Sequence, residues 1–130
     1  MARGWILLAV WLMAGCQVSE LTRLETEIRR LADAPCGRDD ECGALPLGAK
    51  ACGGPAFFVP YSVNADTTRL MELAARHRRL SREHLEAEQA IGDCRVETPP
   101  PVACRAGRCR FTDSTGTAAE APAPAPADRE

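Results

Sequence analysis

Apolar positions along this chain fall into patterns that mark out distinct kinds of segment. From Trp5 to Ala14, "WILLAVWLMA" is an unbroken apolar run, well short of the roughly 20 residues needed to cross a bilayer. Leu21, Leu24, Ile28 and Leu31 then recur at spacings of three, four and three, a helical stripe that Pro35 brings to an end. Asp66 is a good N-cap for a second helix, and Thr67 to Ile91 contains neither Pro nor Gly before a natural stop at Gly92. Wound at about 100° per residue, Leu70, Leu73, Ala74, His77, Leu80, Ser81, His84, Leu85 and Ile91 share one side. Glu72, Arg76, Arg79, Glu83 and Glu86 share the other, so this long helix has one buried face and one wet face. Phe57-Phe58-Val59 is a short extended apolar piece, preceded by a Gly-Gly-Pro turn and cut by Pro60; with Tyr61 it is expected to pack under the long helix. "VACRAGRCRF", residues 102 to 111, alternates about Ala106-Gly107 and predicts a hairpin in which Arg105 faces Arg108 and Cys104 faces Cys109.

The apolar run reads as a targeting segment. Met1 to Gly4 supplies one positive charge, the run suffices for a signal h-region, and Ala14-Gly15 places two small residues before Cys16. This order resembles the lipobox of bacterial lipoproteins, with Met13 where Leu is usual. The resemblance covers the first 16 residues and implies cleavage before Cys16, diacylation of its thiol and, often, acylation of the new amine. The alternatives are an ordinary signal peptide or an uncleaved anchor. Each buried CH₂ contributes about 0.8 kcal/mol, and two or three acyl chains hold a protein stably on a membrane. Gln17 stands where inner-membrane lipoproteins commonly carry Asp, which by the same resemblance implies the outer membrane of a host that has two.

Lipidation of Cys16 also makes sense of an odd cysteine count. Of seven cysteines, six remain: Cys36, Cys42, Cys52, Cys94, Cys104 and Cys109. An even set in a small exported chain predicts three disulfides, and six cysteines allow 15 connectivities among which sequence does not choose. There is no Cys-x-x-Cys redox motif, so the bonds are read as structural.

The chain accordingly divides into a signal peptide at 1–15, a helical spacer after the lipidated cysteine at 16–34, a disulfide-rich domain at 35–112 and a tail at 113–130. The spacer stripe spans two heptads, short of the three to four that mark a coiled coil, so it packs on its own domain or on nothing. The tail, with alternating Ala and Pro from Ala121 to Ala127, is expected to be extended and disordered. Removing Arg3 with the signal leaves 15 basic against 18 acidic residues, a charge of minus three that gives no reason to expect nucleic acid.

Several residues invite a chemical reading. His77 and His84 are seven apart, about 10.5 Å along a helix, too far to ligate one ion unaided, and both lie in the apolar stripe. They are read as partly buried and hydrogen-bonded. "RHRRLSR", residues 76 to 82, suits anionic lipid or glycan; against that, Glu72 with Arg76, Arg79 with Glu83 and Arg82 with Glu86 are spaced to form ion pairs. "CGRDDEC", residues 36 to 42, lacks the alternate-position oxygens of a calcium loop, and Asp39 or Asp40 is expected to cap a short turn. Gly53-Gly54 lacks the spacing of a P-loop and is taken to let the backbone pass close to the Cys52 disulfide.

The acidic Cys36-x5-Cys42 stretch, "GAKACGGP" followed by aromatics and "YS", the central helix, then "DC", "PP" and "CRAGRC", resemble an uncharacterised family of small exported bacterial proteins. The resemblance covers residues 36 to 110 and implies a folded module, with no activity or substrate attached.

These observations predict an α+β protein, a small disulfide-stapled domain with one long helix packed on a short antiparallel sheet or hairpin. The expected role is non-catalytic, binding or structural, in the bacterial cell envelope. Its partners would be the membrane, through acyl chains on Cys16, and an envelope protein or cell-wall component, with no metal and no cofactor. The competing reading is an envelope enzyme whose site assembles from His77, His84, Tyr61 and Ser62; a ligand site would need a cavity beneath "AFFVPY".

Overall fold

The computed structural model describes residues 20–113. The signal segment, Cys16 and the Ala/Pro tail beyond residue 113 lie outside them. Helix α1 covers residues 20–32 and is followed by a 3-10 turn, Asp39–Glu41. Strands β1 (Cys42–Leu47) and β2 (Phe57–Ser62) form one antiparallel pair, helix α2 (Thr67–Ala87) follows, and β3 (Val102–Arg105) and β4 (Arg108–Phe111) form a second pair. The molecule is therefore α+β and held by three disulfides. Among the described residues its α-helical part is a pair of helices.

α1 forms because Leu24, Ile28 and Ala32 repeat on one side, and it ends ahead of Pro35, whose ring disfavours helical backbone in the residue before it. Leu24, Ile28 and Ala32 share one core with Leu45 and Leu47 of β1, Val59 of β2, and Leu70, Leu73 and Ala74 of α2. Burying each of the large side chains contributes roughly 1.5–3 kcal/mol, so α1 stabilises the domain, packing on it in one of the two arrangements expected from its stripe.

The helices run antiparallel. Arg69 pairs with Glu27 at 3.4 Å and, seven residues on, Arg76 pairs with Glu20, seven residues back. Both pairs are solvent-exposed and fix direction more than they stabilise.

α2 begins as expected, with the Asp66 carboxylate accepting the Arg69 N–H at 3.0 Å. Its end differs from the Gly92 stop expected from sequence. The helix closes at Ala87 because Gln89 takes a left-handed φ of 50°, Gln89 N–H donates to Glu86 O and Ala90 N–H donates to Leu85 O at 3.0 Å. This is a Schellman closure built on Gln rather than Gly. As a consequence Ile91 leaves the helix and is 98 % exposed, not part of the buried face.

In the first sheet Leu45 pairs with Val59 and Gly43 with Tyr61, whose ring fills the place a Gly43 side chain would take: a Cβ there would lie 2.6 Å from a ring carbon. In the second, Cys104 pairs with Cys109 and Arg105 with Arg108, as the alternation predicts. The turn places Ala106 at φ 50° and Gly107 at φ 77°, the two positive values of a type I′ hairpin. The paired cysteines do not bond to each other. Cys104 bonds Cys36 and Cys109 bonds Cys42, so two bridges fasten the hairpin to the chain ahead of β1 and to the start of β1. The third, Cys52–Cys94, joins the β1–β2 loop to the irregular segment after α2.

The domain thus has two ends. One carries the hairpin, the 3-10 turn and two bridges. The other carries the β1–β2 loop, the end of α2 and the Cys52–Cys94 bridge.

Candidate functional site

The residues of the dispersed catalytic reading are not brought together. Ser62 is fully buried; its Oγ donates to Pro35 O at 2.9 Å and accepts from Asn64 N–H at 3.2 Å. His77 is buried at the other end, its Nδ1 accepting the Gly48 N–H at 3.2 Å and its ring edge-on to Phe57 with 6.3 Å between centroids. Phe57 and Ser62 open and close β2, about 17 Å apart at 3.4 Å per residue, so Ser62 cannot reach His77. Tyr61 lies over Gly43. His84 stands beside Glu88, Nε2 to Oε1 3.3 Å, one turn along α2.

His77 serves the fold through a specific tautomer. A ring nitrogen that accepts a backbone N–H must be unprotonated, and burial lowers the pKa of the imidazole against a smaller opposing pull from Glu25. Gly48 itself sits at φ 68°, and a Cβ there would approach that of Ala56 to 2.9 Å.

The acidic loop is structural too, with roles other than those expected. Glu41, rather than Asp39 or Asp40, caps the turn: its Oε2 accepts from Gly37 N–H at 2.6 Å, Arg38 N–H at 3.3 Å and Asn64 Nδ2 at 3.3 Å. The Gly37 bond is the main reason its carboxyl titrates below the usual range. Asp39 instead ties the turn to β3, accepting Cys104 N–H at 2.9 Å and the Arg105 guanidinium at 3.2 Å.

The sulfurs of Cys36, Cys42 and Cys109 lie within 4.8 Å of one another. A metal binds thiolate, and all three are bonded, so a metal here would require breaking both Cys36–Cys104 and Cys42–Cys109.

One concave site combines shape with uncommitted charge. A cleft of about 400 Å³ opens between α2 and the β1–β2 loop, walled by Gly48, Lys50, Gly53-Gly54, Arg78 and Arg82 among others. The loop wall is held by a tight turn in which Lys50 N–H donates to Gly54 O and Gly53 N–H donates to Lys50 O, with both glycines at positive φ. Lys50 is committed: its Nζ lies 2.7 Å from Glu97 and 3.5 Å from Asp93, pairing that raises its pKa, Glu97 first. Arg78 and Arg82, one turn apart on the same side of α2, form no ion pair among the described residues. Neither the Arg82–Glu86 nor the Arg79–Glu83 pair expected from i,i+4 spacing forms, while Arg76 turns to Glu20 and Glu72 to Arg69.

Two guanidinium groups converging on a glycine-walled cleft can hold an anionic group such as phosphate or carboxylate. The i,i+4 arginines were visible in the sequence. The loop opposite them carries Cys52, whose bond to Cys94 is one choice within 15 connectivities.

Among the described residues no helix is long and apolar enough to cross a membrane. Comparison of the chain with protein-family models, with curated proteins and with solved structures returns no match.

Proposed function

We propose that this protein is a lipid-anchored bacterial envelope protein, of the outer membrane where the host has two, whose stapled domain binds an anionic group rather than catalysing a reaction. The finer architecture belongs to the same proposal: α2 is the long helix against which the short β1–β2 pair and its loop are set, and its outward arginines form one wall of the site. The observation that carries the binding role is Arg78 and Arg82, which form no ion pair among the described residues, lining one cleft with Gly53-Gly54. The anchor rests on the ordered n-region, apolar run, Ala14-Gly15 and Cys16.

The test is titration of the purified protein with inorganic phosphate and with acetate, followed by NMR of the arginine side chains. Saturable shifts at Arg78 and Arg82, abolished by Arg78→Ala and Arg82→Ala, are expected. Turnover in a panel of envelope hydrolase assays, with no anion-dependent shift at either arginine, would contradict the reading.

A further inference from the structure

We infer that the end of the domain carrying the Cys52–Cys94 bridge is seated on the membrane surface, with the Arg78–Arg82 cleft holding a lipid headgroup phosphate and Ile91 and Val96 entering the interfacial layer. This deepens the proposed function and rests on lipidation of Cys16.

The first ground is chain length. Only three residues, Gln17, Val18 and Ser19, separate Cys16 from Glu20, and the four steps between them reach at most about 14 Å even when fully extended. Glu20 is fastened to Arg76, in the middle of α2. A diacylated Cys16 therefore puts the bilayer surface within that distance of α2, with no stalk between domain and membrane.

The second ground is direction. Because α1 is antiparallel to α2, Glu20 is the end of α1 nearer the place where α2 closes, and Ala32 is the end nearer the hairpin. From Arg76 to Ala87 is about 16 Å of helix at 1.5 Å per residue, so the C-terminal half of α2 and the segment after it lie on the membrane side.

The third ground is what that side displays. Ile91 is 98 % and Val96 86 % exposed, the two most exposed large apolar side chains among the described residues. Both stand in the segment that Cys94 pins to the β1–β2 loop, beside the cleft. Apolar side chains next to unpaired arginines match an interface with hydrocarbon below and phosphate above. Each arginine close to an anionic leaflet raises affinity about fivefold, so two add a preference that neutral lipid lacks.

The experiment uses the processed protein purified from its host membrane and reconstituted into vesicles of phosphatidylcholine, with or without phosphatidylglycerol, carrying brominated chains as quenchers. Both natural tryptophans, Trp5 and Trp11, precede Cys16, so a single introduced Trp reports its own position. Ile91→Trp and Val96→Trp are expected to lose most of their emission. Val63→Trp, at the hairpin end between β2 and α2, keeps its emission. Adding Arg78→Ala and Arg82→Ala weakens the quenching in phosphatidylglycerol vesicles and leaves acylation unchanged.

Intact mass on the same samples separates the two levels of the argument. Acylated protein with no quenching at positions 91 and 96, or with quenching equal to that at 63, overturns the seat while the anchor stands. Shifts at Arg78 and Arg82 with free phosphate in that same unquenched protein would reassign the cleft to a soluble anion. Protein without acyl mass on Cys16 removes the anchor and the seat with it.

Discussion

His77 shows how a residue can lie where a catalytic or metal-binding group is expected and yet belong to the fold. Its Nδ1 accepts the Gly48 N–H in a buried site, and protonation would turn that acceptor into a donor facing a donor. Its folded pKa lies below the 6.5 of the free side chain, so the unfolded chain binds the proton first as pH falls. Stability is therefore full above pH 6.5 and declines as pH drops through the folded value. His77→Phe keeps the edge-on volume but leaves the Gly48 N–H unpaired, at a cost of about 1–3 kcal/mol, and abolishes that component of the pH dependence. Urea unfolding of both proteins between pH 7.5 and 5 checks this; identical pH slopes would refute it. The histidine's burial was legible from the helical stripe. Its partner was not, since Gly48 is 29 residues away and meets it only because the backbone there takes a positive φ.

At the level of elements, periodicity located both helices and alternation located the β3–β4 register, turn included. β1 was the strand left unassigned: "CGALPL" has two apolar side chains facing the core and a Pro and two small residues elsewhere, too weak an alternation to mark it. It forms because Tyr61 covers Gly43 and Leu45 and Leu47 enter the core. The end of α2 was misplaced for a different reason. Gly92 is the stop expected from sequence, but the helix ends at Ala87, closed by Gln89 in left-handed conformation. An L-residue pays roughly 1–2 kcal/mol there. Gln89→Gly is accordingly expected to stabilise the domain by up to about 1 kcal/mol without altering the fold, measurable as an upward shift in Tm. A loss of stability would mean that the closure is held by something other than backbone conformation.

For the whole molecule, the three bridges divide by end. Cys36–Cys104 and Cys42–Cys109 attach a two-stranded hairpin that would be marginal alone, and Cys109 and Cys36 are buried. Cys52–Cys94 closes a separation of 42 residues between two exposed loops, away from the core. Chain entropy assigns about 4 kcal/mol to a loop of this size. Full reduction should therefore unfold the protein, whereas Cys52→Ser with Cys94→Ser should leave a cooperative core and loosen residues 88–97 and the β1–β2 loop, seen as faster hydrogen exchange in those two segments. Weaker anion binding in that variant is expected, because the loop wall of the cleft is no longer held to the segment after α2. Sequence indicates three disulfides but not their pairing, and so does not show that one of them ties the β1–β2 loop to the segment after α2 while two fasten the hairpin. The anchor bears on every functional step, and intact mass spectrometry of the protein taken from its host membrane, before and after reduction, tests it most directly. The expected species begins at Cys16, carries acyl mass and gains six hydrogens on reduction of its three bridges. A chain that retains residues 1–15, lacks acyl mass or already has free thiols among the six cysteines would contradict the account of an anchored, stapled binding domain.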